Sequence, residues 1–256
     1  MFRVLIWIIL APLVAFILFN VFALGSIISW RAFAPESTAF MRYQLPMLQQ
    51  NDPDLERQYQ WVPYDKISVN LKKALIASED AKFTAHDGFD WKGIQAAIEK
   101  NERKGKITAG GSTISQQLSK NLFLWEGRDY IRKGEETILT SMLEANMSKK
   151  RIFEIYLNVI EWGNGVYGAQ AASQYYYGVN ASDLTPFQAA RLASMVTNPR
   201  YYDDNPKDSK LARKTNIILK RLGTAQIPED EQDKSINESM PKAGKAKKKR
   251  KRVKSK

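Results

Sequence analysis

Cysteine is absent from these 256 residues and histidine occurs once, at His86. Without thiols there is no disulfide framework, no thiolate metal site and no cysteine nucleophile. A single histidine confines any Ser-His-Asp arrangement to His86 and rules out multi-histidine metal sites. The lack of cysteine fits an oxidising or a reducing compartment, so it does not locate the chain. No internal repeat is present, and the length suits one ordinary domain with extras, large enough for a core that needs no staples.

Acidic residues are also in deficit, 27 against 39 Lys and Arg, for a formal charge of +12. Residues 242–256 hold ten of those basic side chains and no acid, so the body of the chain is close to neutral. The basicity belongs to a tail and is not the footprint of a nucleic-acid-binding domain. A disordered tail is expected over 226–256, with anionic headgroups or cell-wall polymers as candidate contacts.

What the chain has in quantity is an apolar run from Phe2 to Trp30, interrupted only by Arg3, Pro12, Asn20, Ser26 and Ser29. About 20 apolar residues span a bilayer core, whereas a signal-peptide h-region is usually ~7–15 residues long. Residues 1–30 are therefore expected to be an uncleaved transmembrane anchor. Arg3 before the run and Arg31 and Arg42 after it barely discriminate its orientation. With the N-terminus in the cytoplasm, everything from Arg31 onward lies outside. Residues 31–61, punctuated by Pro35, Pro46 and Pro53, read as a stalk, and Tyr59–Val62 as a short strand.

Residues 62–225 read as a mainly α domain. Leu71, Ala74, Leu75 and Ser78 recur at helical spacing and bring Glu79 to a helix end. Asp90 is an N-cap candidate for a second helix, and Ser112, after Gly110-Gly111, for a third. Further helices are expected over 130–144, from Ser148 to Val159, over 167–177 closed by Gly178, from Thr185-Pro186 to a stop at Asn198-Pro199, and through Leu211, Thr215, Ile218 and Leu222. The run Leu122–Trp125 is too apolar for an ordinary loop, and is expected to dip into the membrane interface or to flap over a cleft.

Two stretches could carry chemistry. Glu79 and Asp80 are adjacent and project about 100° apart on a helix, so they cannot form a facing pair. Phe83, His86, Gly88 and Phe89 compact the turn that follows. A carboxylate held against aromatics is desolvated and becomes a competent general base. The second stretch, Gly110 to Asn121, joins a double glycine to Ser112, Thr113, Gln116, Gln117, Lys120 and Asn121, an anion-friendly helix start dense in amides. Arg132, Lys133 and Glu136 follow on one helix, and Lys149 opens the next. Each alone is unremarkable.

Together these residues resemble glycosyltransferase family 51, the peptidoglycan glycosyltransferases. The pattern ED-x-x-F-x-x-H-x-G matches Glu79, Asp80, Phe83, His86 and Gly88, and GGST-I-x-QQ-x-x-KN matches Gly110 to Asn121. RK-x-x-E matches Arg132, Lys133 and Glu136, and K-x-x-I-x-E-x-YLN matches Lys149, Ile152, Glu154, Tyr156, Leu157 and Asn158. A fifth pattern matches Gly165, Tyr167, Gly168, Ala171, Ala172, Tyr176 and Gly178; Gln188 stands where the family usually has an acid.

The resemblance, to the monofunctional members, implies a lysozyme-like multi-helix glycosyltransferase domain over 62–225. It implies that lipid II is polymerised into glycan strands with inversion and release of polyprenyl pyrophosphate. It further implies Glu79 as general base, and Lys120 and Arg132 as pyrophosphate ligands, with Lys133 and Lys149 as further candidates. Glu136 would orient Arg132 or stabilise charge at the reacting sugar. Ser112, Thr113, Gln116, Gln117 and Asn121 would line sugar and phosphate subsites, with Asp80, Phe83 and His86 beside them. No organic cofactor is expected; a divalent cation, Mg2+ or Mn2+, is a candidate aid, with Asp80 its candidate ligand. The expected partners are lipid II, the growing glycan, membrane lipids and cell-division or cell-wall synthase proteins, and no nucleic acid. The expected place is the inner membrane, single-pass, with the catalytic domain on the extracytoplasmic side.

Two rival readings differ in class. A lysozyme-like lytic transglycosylase would cleave a neutral glycosidic bond and leave the cations unexplained. A membrane-tethered scaffold binding anionic polymers would leave all five patterns unexplained.

Overall fold

A computed structural model describes residues 2–106, 110–127 and 129–229. The basic residues 242–256, and most of the tail expected from 226 onward, lie outside the described residues.

The architecture is mainly α. Helix α1 spans Phe2–Ser29. Its Leu10–Ser29 window has mean hydropathy 2.3 and is long and apolar enough to cross a membrane. Most of its described side chains face outward, but Ala23 and Ile27 are fully buried, and α1 packs on α6 (Tyr130–Asn146).

The stretch read as a stalk is not one throughout. Ala39–Gln49 forms α2, capped by Thr38, whose side chain accepts from the Met41 amide. Phe40, Met41 and Gln44 are buried, and α2 packs on α5 (Ile114–Phe123). Pro46 lies inside α2. A proline costs a helix one backbone hydrogen bond, and here the burial of one helix face outweighs that local signal. The expected strand is present but short, as β1 (Gln58–Tyr59).

Helix α3 (Val69–Glu79) is capped by Ser68 and ends on Glu79. Helix α4 (Trp91–Lys104) is capped by Asp90 and closed by Gly105 in the left-handed conformation. The cap of α5 is Thr113, one residue beyond the expected Ser112, and it forms a reciprocal capping box with Gln116. Helix α7 (Lys149–Val159) is capped by Ser148.

After α7 the chain turns through β2 (Glu161–Gly163) and β3 (Val166–Tyr167) before α8 (Ala169–Tyr177). The sheet order is β1-β3-β2, parallel between β1 and β3 and antiparallel between β3 and β2. Pairs this short give no periodic signal in sequence. Gly168 makes the return possible: its φ is +84°, and a Cβ there would lie 2.3 Å from the Asn158 carbonyl oxygen. The Asn158 side chain in turn clamps the chain entering α3, accepting from the Val62 amide at 2.9 Å and donating to the Val62 carbonyl at 3.0 Å.

Helix α9 (Pro186–Met195) has the expected Thr185 cap. Asn198-Pro199 does stop it, yet Pro199 also opens α10 (Pro199–Asp204), because a first-turn proline gives up only an amide that has no partner anyway. Helix α11 (Ser209–Arg221) packs with α3 and α9, while α5, α6 and α7 form the other half of the core. The chain stays on the domain past α11: Pro228 accepts a hydrogen bond from Tyr64 Oη at 2.9 Å.

Leu122, Phe123 and Leu124 neither dip nor flap. They are 2, 8 and 1 % exposed, and the Phe123 ring lies 5.4 Å from that of Trp30. Only Trp125 of that run is exposed.

Candidate active site

The site is organised by α5. Gln117, Lys120 and Asn121 fall at i, i+3 and i+4, so one helix face carries all three. They line a cleft of about 750 Å³ with Phe40, Glu126, Glu161, Asn198 and Arg200 among its other walls.

Glu79 reaches this face from the end of α3. Its Oε2 accepts from Gln117 Nε2 at 3.3 Å, and its Oε1 from Ser78 Oγ at 2.7 Å. Lys214 Nζ, on α11, lies 3.6 Å from Oε1. Burial pulls the Lys214 ammonium below its usual range and Glu79 opposes that shift. Gln117 is itself oriented: the hydroxyl of fully buried Tyr156 donates to its Oε1 at 3.0 Å. Burial, with Glu79 and Asp80 nearby, holds the Tyr156 phenol well above its ordinary pKa, so it stays a donor and the amide presents its NH2 to Glu79.

At the other end of the face, burial lowers the Lys120 pKa, opposed by Glu136 and reinforced by Arg132. Arg132 Nη1 donates to Glu136 Oε2 at 3.0 Å, and Lys133 pairs with the other Glu136 oxygen. Arg132 is 7 % exposed and its Nε has no partner among the described residues. A buried guanidinium with a spare donor is suited to an oxyanion.

The other expected site residues serve as support. The Asp80 carboxylate accepts from the Ile114 amide at 3.1 Å, and His86 Nε2 lies 3.1 Å from both its oxygens. That staples α3 to the positive N-terminus of α5 and leaves Asp80 unfit as a metal ligand. No group of three His, Cys, Asp or Glu able to hold a metal occurs among the described residues, so the candidate divalent cation finds no fitting donor set at Asp80. Phe83 is fully buried, 5.6 Å from the Phe153 ring. The Phe83 ring also carries Lys149 Nζ at 4.6 Å, and that ammonium pairs with Glu144 at 2.7 Å. Thr113 and Gln116 are occupied by the capping box, and Thr113 Oγ1 also donates to the Gly88 carbonyl at 2.6 Å. Ser112 is exposed at the start of α5.

Sequence reasoning missed Phe40, Glu161, Arg200 and Glu126 on the cleft wall, and Lys214 beside Glu79. Phe40 was hidden by the stalk reading. Glu161 is buried beside Arg200, whose Nε donates to it at 3.0 Å; burial raises its pKa and Arg200 lowers it. Glu126 is tied to α2 by Gln44 Nε2 at 2.7 Å. Lys214 left one legible trace, a cation flanking the apolar stripe of α11.

The comparisons agree with this geometry. A family model described as Transglycosylase matches residues 47–223. The biosynthetic peptidoglycan transglycosylase of Chromobacterium violaceum is 59% identical over 228 residues, covering 89% of this chain and 100% of the relative. The protein of that name from Neisseria meningitidis serogroup C / serotype 2a is 56% identical over 233 residues, 91% of this chain and 100% of its own length. The matches cover the helical domain, whose architecture is lysozyme-like as the family resemblance implied. With the cleft, its polar face and these relatives in view, the chain belongs to the Transglycosylase family.

Proposed function

We infer that this chain is a membrane-anchored peptidoglycan glycosyltransferase that polymerises lipid II. One observation carries the reading: Glu79 and a cation cluster are held on the same face of α5, with Gln117 contacting the first and Lys120 feeling Arg132 and Glu136 at the second.

In this reading Glu79 accepts the proton of the acceptor 4-hydroxyl. The oxygen then bonds to the donor's anomeric carbon from the face opposite the leaving group, and the configuration inverts. The bond from that carbon to the pyrophosphate oxygen breaks, and its electron pair leaves with the polyprenyl pyrophosphate. A glycosidase needs a carboxylic acid to protonate a basic alkoxide leaving group; a pyrophosphate needs cations instead. Lys120 and Arg132 supply them, with Lys133 at the rim and Glu136 aligning Arg132. Gln117 and Asn121 contact the sugars. No step is routed through a metal.

The anchor fits a substrate that stays in the bilayer. We place the protein in the inner membrane as a single-pass protein with its catalytic domain on the extracytoplasmic side, where wall-synthase partners would also act. The test is incubation of full-length protein with labelled lipid II. Wild type should yield glycan polymer and Glu79→Gln none, with equal folding by thermal melt. Polymer from both, or release of cleaved disaccharide from preformed glycan, would overturn the reading.

A further inference from the structure

A second cavity, about 470 Å³ and almost wholly apolar, lies between α1 and α6. Ala15, Phe16 and Phe19 form its anchor wall; Trp125, Ile131 and Ile138 belong to the other. Its anchor residues fall within the Leu10–Ser29 window that is apolar enough to span a membrane, so the groove opens at hydrocarbon depth. Trp125, Ile131 and Ile138 are 48, 83 and 38 % exposed, an apolar surface that the described residues leave uncovered. Glu135 also lines it, 8 % exposed, with one carboxylate oxygen lacking a partner.

The groove and the catalytic cleft are two sides of the same elements. Glu126 and Gly127 line the cleft, whereas the preceding Trp125 lines the groove. On α6, Arg132 and Glu136 form the anionic-ligand face, while Ile131, Glu135 and Ile138 at i, i+4 and i+7 form the groove face. Consecutive residues project about 100° apart on a helix, so the groove face of α6 adjoins the face that carries Arg132.

We propose that this groove binds the polyprenyl chain of the lipid-linked donor, so that pyrophosphate and chain are read on adjoining faces of α6. The proposal rests on the function inferred above. Two features select that occupant over an ordinary lipid: continuity with the cleft through Trp125–Gly127, and a polar end that Lys120 and Arg132 would hold.

Gly134 gives a clean perturbation. It lies inside α6 on the groove wall, and a Cβ there meets nothing within 4 Å. Gly134→Leu should therefore fold, with improved helix propensity, and plug the groove. In nanodiscs, with donors carrying a full-length polyprenyl or a farnesyl chain, the variant's long-to-short ratio of kcat/KM should fall by about tenfold, the scale of a few lost methylene contacts. An unchanged ratio overturns the proposal, whereas failure of wild type to polymerise either donor would instead sink the inferred function. As a second measurement, a polyprenyl diphosphate with a diazirine in its chain should label the 125–138 segment, and unlabelled polyprenyl diphosphate should compete. Labelling of that segment by a diazirine phospholipid that polyprenyl diphosphate does not displace assigns the groove to bulk lipid. Ile131→Cys chains that link to each other and exclude the probe assign it to a second copy. Either result overturns the proposal.

Discussion

Replacing Asp80 by asparagine separates a structural carboxylate from a metal ligand. The substitution is nearly isosteric, but it exchanges one acceptor oxygen for an NH2 group. Asp80 receives two donors, the Ile114 amide and His86 Nε2, each at 3.1 Å, and its side chain is 4 % exposed. One of those donors would then face another donor with no water to relieve it. An unsatisfied buried group costs about 1–3 kcal/mol, and the lost charge at the α5 N-terminus roughly another 0.3–1 kcal/mol. The sum is about 1.3–4 kcal/mol. At ~2–4 °C per kcal/mol for a domain of this size, melting should fall by about 3–16 °C. Thermal unfolding of detergent-solubilised protein reads this directly, alongside polymerisation across a Mg2+ and Mn2+ titration. A melting temperature within a degree of wild type, with activity restored by excess cation, would refute the staple and reinstate Asp80 as a ligand.

Three further outcomes are expected. Gly168→Ala, which meets the Asn158 carbonyl at 2.3 Å with φ +84°, should lose at least ~3 kcal/mol, while Gly178→Ala, at φ +65° with open space, should lose only about 1–2 kcal/mol; equal urea midpoints would contradict this. Tyr156→Phe should lower kcat about tenfold, the worth of one hydrogen bond, with KM held, and should add nothing in a Gln117→Ala background; additive losses would show that Tyr156 does not act through Gln117. Burial raises the Glu135 pKa, against a hydrogen bond with Asn20 that lowers it. The folded chain thus holds that proton more tightly than the unfolded one, and the associated stability is full below the unfolded carboxylate pKa and lost as pH rises through the raised value. Glu135→Gln should accordingly gain on wild type in melting temperature from about pH 4 to pH 8, and a constant gap would count against a shifted carboxyl.

Local signals were legible where one residue type does one local job. Asp90 and Thr185 cap the helices they were expected to cap, and Gly178 closes α8. The misreadings share a cause. Pro46 and the proline-rich approach hid α2, because its stability comes from packing on α5 and not from its own propensity. Leu122–Leu124 looked like membrane-seeking surface because an apolar run does not say which apolar partner covers it; here Trp30 lies against Phe123. Five matched patterns likewise named residues without dividing support from site. Phe83, His86, Thr113 and Gln116 were counted with Glu79 and Lys120, while the structure engages the Phe83 ring, His86 Nε2 and the Thr113–Gln116 capping box inside the fold.

Sequence alone determined an apolar helix long enough to cross a membrane, the mainly α class and the family, because apolar run length, helix periodicity, caps and motif spacing are all short-range quantities. Tertiary structure decided the rest. It put Lys214 beside Glu79, Glu161 against Arg200, Tyr156 behind Gln117, and α1 against α6. Each of these pairs joins segments far apart in the chain. Their geometry depends on how whole helices pack, which no local pattern encodes.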